Sequence, residues 1–194
     1  MARIPSTTAP EGAPIPERHP LAPVAGSKIP SHFGHCFGCG DLHPTGLHLV
    51  AYAGAGLDIT AEFTVTENHQ GAPGLAHGGL LSLAFDEALG KLMWLLRAPA
   101  VTARLETDFL KPVPMGSKLF ISAEITGQVS RKVYCSAVGR LNSPDGEIVV
   151  RAAALFVIVP MSHFLQNAPA EYLEAIAKTP EVLAFVDPNF NINP

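Results

Sequence analysis

The segment from His77 to Leu96 places apolar residues at 80, 81, 83, 84, 88, 89, 92, 93, 95 and 96. On a helix of 3.6 residues per turn these positions reach nearly every face instead of forming one stripe. Such a helix cannot lie on a surface, so the rest of the chain must wrap it. It does not read as a membrane span. Asp86, Glu87 and Lys91 interrupt it, Gly90 falls inside it, and Pro99 follows its end.

Strands are available for the wrapping. Residues 47–52 (LHLVAY) and 57–65 (LDITAEFTV) alternate apolar and polar, with AGAG turning between them. Four more strand-like runs follow the helix, at 101–110, 118–127, 132–141 and 147–159. They are separated by KPVPMGS, QVSR and NSPDG, all with turn chemistry. Two strands, one buried helix and four strands give an α+β architecture: a six-stranded antiparallel sheet wrapped around one central helix, the hot-dog arrangement.

Residues 31–160 hold this expected domain. Residues 1–30 carry seven prolines and little periodicity, as an extended arm does. Residues 161–194 read as a C-terminal helix, near 170–178, and a tail. The chain is 47% hydrophobic and 15% charged, a surplus that a large subunit interface would absorb. A net charge of -4 argues against a general affinity for nucleic acid or anionic membrane. The first residues lack the apolar core of a signal peptide, and the three cysteines are odd in number. The expected location is therefore the cytoplasm, with reduced thiols.

Chemistry concentrates at His77-Gly78-Gly79 and at Asp86-Glu87. A helix N-terminus offers unpaired N–H groups and a positive dipole end, and glycine lets a ligand oxygen approach them. An acid in an otherwise apolar helix is costly unless paired or functional, which singles out Asp86. Glu87, about 100° further round the helix, reads as a solvated or interface residue. Gly79 and Asp86 are about 10 Å apart along the axis, too far to share one carbonyl carbon. Two antiparallel helices from two subunits would solve this, so a homodimer is expected, with pairing into a tetramer left open.

The stretch HQGAPGLAHGGLLSLAFDEALG resembles the signature of the PaaI-like acyl-CoA thioesterases, nearest to their THEM-type branch. Pro73-Gly74, His77-Gly78-Gly79 and Asp86, nine residues after the His, match its spacing. VTARLETDFLKPVP resembles the family's next strand, whose Ser or Thr is reached from the partner subunit; Thr102 matches it. The resemblance spans roughly residues 36–159. It implies hydrolysis of acyl-CoA without a cofactor. The Gly78 amide, positioned by His77, would polarise the thioester carbonyl, with Gly79 beside it. Asp86 would be nucleophile or general base, and Thr102 would hold water or orient Asp86. Where some members carry an Asn, this chain has Gly71; Asn68 and Gln70 are the nearby substitutes. A non-catalytic acyl- or CoA-binding protein using the same groove is the alternative.

Two other groups stand out. Lys111, Lys118, Arg131, Lys132 and Arg140 come from strand ends and turns; Lys111, Arg131 and Lys132 are the candidates for the phosphates of coenzyme A. His32, His35, Cys36, Cys39, His43 and His48 crowd one segment. Cys-Phe-Gly-Cys has the spacing of half a zinc site, which His35 and His43 would complete. The favoured reading is a tight glycine-containing loop with small buried thiols and no metal.

Overall fold

Alternating burial sorts the strands of the computed structural model, which describes residues 5–160 and 163–164. The elements are β1 (Lys28–Ile29), β2 (Val50–Ala53), β3 (Asp58–Thr64), α1 (Gly78–Lys91), α2 (Met93–Leu96), β4 (Ala100–Phe109), β5 (Lys118–Val129), β6 (Lys132–Leu141) and β7 (Ile148–Ile158). In β3 the residues Ile59, Ala61 and Phe63 are buried, and in β5 Leu119, Ile121, Ala123 and Ile125. Those rows form one inward face, because side chains alternate with a period of two. The sheet order is β1-β2-β3-β5-β6-β7-β4, and every neighbouring pair is antiparallel. The hot-dog architecture is therefore present.

Three strands separate β3 from β4, so the chain crosses over β5, β6 and β7 between them. The crossing is α1. Ala84, Phe85, Ala88 and Leu89 on it are fully buried, as the all-round apolar pattern requires. Phe85 sets the closest approach to the sheet. A Cβ on Gly139 of β6 would lie 2.7 Å from the Phe85 ring. The single helix expected over 77–96 is instead two. At Leu92 the hydrogen bonding tightens to an i–3 bond, Leu92 N–H to Leu89 O at 3.2 Å, just after Gly90 weakens the last turn. Arg97 then ends α2 in the left-handed region at φ 49°.

Two further expectations need correction. The first long strand begins at Val50, not Leu47; Leu47 and Leu49 are buried in irregular backbone, bonding to Phe37 O and Gly38 O. The sheet also has seven strands, because Lys28–Ile29 of the arm pairs with β2. The arm lies along the domain at several points. Gln128 N–H bonds to Pro14 O, His19 N–H to Leu95 O, and the buried Thr7 hydroxyl to Glu106 on β4. The helix expected near 170–178 lies outside the described residues. Among the described residues no helix is long and apolar enough to cross a membrane.

Two glycines give opposite expectations. Gly139→Ala forces a methyl into Phe85 and should destabilise by about 1–3 kcal/mol, as overpacking does. A Cβ at Gly90 meets nothing nearer than 3.9 Å, so Gly90→Ala should stabilise by about 0.5–1 kcal/mol through helix propensity. Urea unfolding of both variants checks the pair.

Candidate active site

The first four backbone donors of α1, from His77 to Leu80, have no acceptor four residues back in the helix. Three are accounted for. His77 N–H bonds to His69 O at 2.8 Å, Gly79 N–H to His77 Nδ1 at 2.9 Å, and Leu80 N–H to His77 O at 3.0 Å. The Gly78 amide is left over, with no acceptor among the described residues. The sequence grouped Gly79 with the ligand-binding residues; the structure commits its amide to the His77 cap. His77 thus acts through helix geometry, with Nδ1 occupied as an acceptor.

The loop before the helix holds His77 in place. Gly71 approaches it so closely that a Cβ would lie 2.8 Å from His77 Cα, so no side chain fits there. Gln70 accepts from Gly74 N–H at 3.2 Å, bracing the Pro73-Gly74 turn and not replacing the missing Asn. Asn68 lines a separate cleft of about 320 Å3 with Thr45, His48 and Lys118. His69, only 2% exposed, takes Thr66 N–H on Nδ1 at 3.0 Å and lies with Nε2 3.3 Å from Gly46 O. Nothing in the sequence spacing distinguished His69 from its neighbours.

Asp86 lies two turns further along α1. Its Oδ1 accepts from the Thr102 hydroxyl at 2.8 Å, within the same chain. The resemblance led to the expectation of a hydroxyl from the partner subunit; here β4 of the same protomer supplies it. A bulge makes this geometry. Thr102 pairs with Phe156 but Arg104 with Leu155, leaving Ala103 as the extra residue. Strict alternation would put Thr102 and Phe109 on opposite faces, since they are seven residues apart. With the extra residue both face α1: Thr102 meets Asp86, and the Phe109 ring lies against Gly78. Gly78 and Asp86 therefore sit at opposite ends of β4.

Glu87 is not solvated as expected. Its side chain is 11% exposed and 3.3 Å from Lys91 Nζ. Lys91, 2% exposed, also donates to Pro30 O at 2.9 Å and Cys39 Sγ at 3.2 Å. Cys36 Sγ donates to Glu87 Oε2 at 3.4 Å, and His32 Nδ1 is 3.5 Å from Cys39 Sγ. Burial pushes the Glu87 carboxyl up. Hydrogen bonding between the two thiols, helped by His32 and Lys91, pulls the Cys39 thiol down, and the same interaction raises Cys36. The hydrogen bond with Cys39 raises His32. His35 and His43 take no part: His35 packs at a tilt against Phe33, while His43 packs edge-on to Phe37 and accepts from Thr45 N–H.

The basic residues do not form one patch within a chain. Lys111 N–H bonds to Val149 O, while Arg131 O accepts from Ile158 N–H. These anchors lie at opposite ends of β7, roughly 30 Å apart at the rise of a strand. Lys111 is also paired with Glu147, and Lys118 with Glu62 at 2.9 Å. Arg140 donates to Gly146 O at the Lys111 end.

Residues 73–141 match the model of the thioesterase superfamily. Acyl-coenzyme A thioesterase THEM4 of Xenopus laevis is 31% identical over 88 residues, covering 45% of this chain and 39% of that protein. Its Bos taurus counterpart is 36% identical over 88 residues, covering 45% and 35%. The chain thus spans well under half the length of these curated relatives. The Escherichia coli PaaI protein from the phenylacetic acid degradation operon shares the fold, with a TM-score of 0.54 at 18% identity over 59% of this chain and 81% of that one.

Losing the cap should show as stability. His77→Ala is expected to cost about 0.5–2 kcal/mol, and His77→Asn, which keeps a short acceptor, to recover most of it. Chemical denaturation of the two variants against the parent measures this.

Proposed function

From the match of residues 73–141 to the thioesterase superfamily model, we propose that the chain hydrolyses acyl-CoA thioesters to free acid and coenzyme A. The observation that carries the reading is the pairing on one helix of a spare N-terminal amide, Gly78, with a hydroxyl-bonded carboxylate, Asp86. The thioester carbonyl oxygen accepts from the Gly78 amide, which stabilises negative charge as the tetrahedral intermediate forms. Asp86 either takes a proton from the attacking water or attacks the carbonyl carbon itself. Water supplies the oxygen of the acid, and the sulfur leaves as the thiol of coenzyme A. Thr102 donates to Asp86 and so fixes which carboxylate oxygen faces the substrate.

Each active site needs two protomers. Eight residues of helix separate Gly78 from Asp86, about 12 Å along the axis. β4 is a ten-residue edge strand, and Phe109 and Leu110 at its end are 52% and 45% exposed. A long edge with exposed apolar side chains calls for a partner. Antiparallel pairing of two copies of β4 about a two-fold axis sets the Thr102 end of one against the Phe109 end of the other. The partner's Gly78 amide then approaches Asp86. The same operation brings Lys111 of one protomer toward the Arg131–Lys132 end of the other. Cations from both subunits thereby flank the phosphates of coenzyme A.

Thiol release from a panel of acyl-CoAs tests the reading. Asp86→Asn should lower turnover by at least about 10²-fold while the fold persists. Binding of acyl-CoA with no thiol release from the parent would point instead to a non-catalytic binder. Thr102→Val should lower turnover with little change in KM, and Thr102→Ser should retain much of the activity. Parental turnover in Thr102→Val would reduce Thr102 to a strand residue. Glu87→Gln is not a neutral control, since Glu87 belongs to the buried cluster. Sedimentation is expected to show a dimer at assay concentration; an active monomer would refute the shared site.

A further inference from the structure

We propose that His32, Cys36, Cys39 and Glu87 form a structural site for a divalent metal of the zinc type. This departs from the metal-free loop that the sequence favoured. It stands independently of the thioesterase reading.

The geometry is that of a coordination shell. His32 Nδ1, Cys36 Sγ, Cys39 Sγ and a Glu87 carboxylate oxygen all lie within 4.8 Å of one another. Zinc binds such ligands at about 2.0–2.3 Å, and a tetrahedron with those bonds has edges of about 3.3–3.8 Å. Two edges fall there, Cys36 to Glu87 Oε2 at 3.4 Å and Cys39 to His32 Nδ1 at 3.5 Å, and the other carboxylate oxygen, Oε1, is 3.8 Å from His32 Nδ1. The donor set of two sulfurs, one imidazole and one carboxylate suits borderline-soft zinc and not magnesium or calcium.

The surroundings fit as well. Two thiolates and a carboxylate around a dication leave a charge of -1, and the buried Lys91 ammonium balances it from 3.2 Å off Cys39 Sγ. The Cys-x-x-Cys-Gly turn is closed by Gly40 N–H to Cys36 O at 2.8 Å. A Cβ on Gly40 would strike Gly34 O at 2.3 Å, and one on Gly38 would strike Glu87 Oε2 at 2.5 Å. The loop is therefore shaped to receive the Glu87 carboxylate. His32 is half exposed and gives a metal access from solvent. Bound there, the metal ties the loop of residues 32–39 to α1 one residue after Asp86.

The whole chain, purified without a histidine tag under reducing conditions and dialysed after zinc addition, should hold about one zinc per protomer by mass spectrometry. Cobalt added to the metal-free parent should give the visible bands and sulfur-to-cobalt charge transfer of a tetrahedral thiolate site. Zinc should protect Cys36 and Cys39 from a thiol reagent, and chelation should lower Tm. The Cys36→Ser, Cys39→Ser double variant should lose the metal. The cobalt spectrum and thiol protection are read on the parent, so they test the site even if the variant fails to fold. The proposal is overturned if the parent retains no zinc and shows no cobalt–thiolate spectrum. A double variant that retains as much metal as the parent, or a Cys36–Cys39 disulfide in zinc-treated reduced protein, would overturn it equally.

Discussion

Burial of α1 against the inward face of the sheet is the constraint from which the other features follow. Ala84, Phe85, Ala88 and Leu89 have no exposure, and Phe85 closes on Gly139 with no room for a methyl group between them. Shape complementarity of this kind fixes both the rotation and the axial position of a helix, because close-packed interiors resist small shifts. With α1 fixed, its N-terminal amides and Asp86 are held at set positions along β4. A carboxylate one turn away from its place could not meet Thr102, and an amide displaced by a residue would no longer be the unpaired one.

For the hydrolysis proposed above, that arrangement is incomplete in a single chain. The same helix that presents Gly78 at one end presents Asp86 at the other, and β4 beside both pairs with β7 on one edge and with no strand among the described residues on the other. The proposed self-pairing of β4 would answer two needs at once: it would cover Phe109 and Leu110, and it would join the separated halves. Stability and site assembly would then depend on one surface. An apolar composition with few charges is what such a chain requires.

The segment beneath Asp86 adds another tie. Glu87, Lys91, His32 and the two cysteines link an irregular loop to α1 through buried and partly buried polar contacts. Buried charges are costly unless each is compensated, so the cluster must be satisfied as a unit. Its position next to Asp86 makes the loop a support for the helix segment that carries the carboxylate.

Local pattern was enough to read much of this protein. The period-two runs gave the long strands, the all-round apolar stretch gave the buried helix, and His77-Gly78-Gly79 with Asp86 marked a helix start and a costly acid. These features depend on residues close together in the chain, and periodicity and spacing are properties of the sequence itself. What the sequence did not contain was the parity change at Ala103, which turns Thr102 toward Asp86 of its own chain. Nor did it contain the meeting of His32 with Glu87, or the separation of Lys111 from Arg131 and Lys132 by the length of β7. Glu87 was misread for the same reason, since a position one residue from Asp86 reveals nothing of a loop some fifty residues earlier that folds over it. Those relations were decided by tertiary structure, because contacts between distant residues depend on strand order, bulges and close approach of elements, none of which a local pattern encodes.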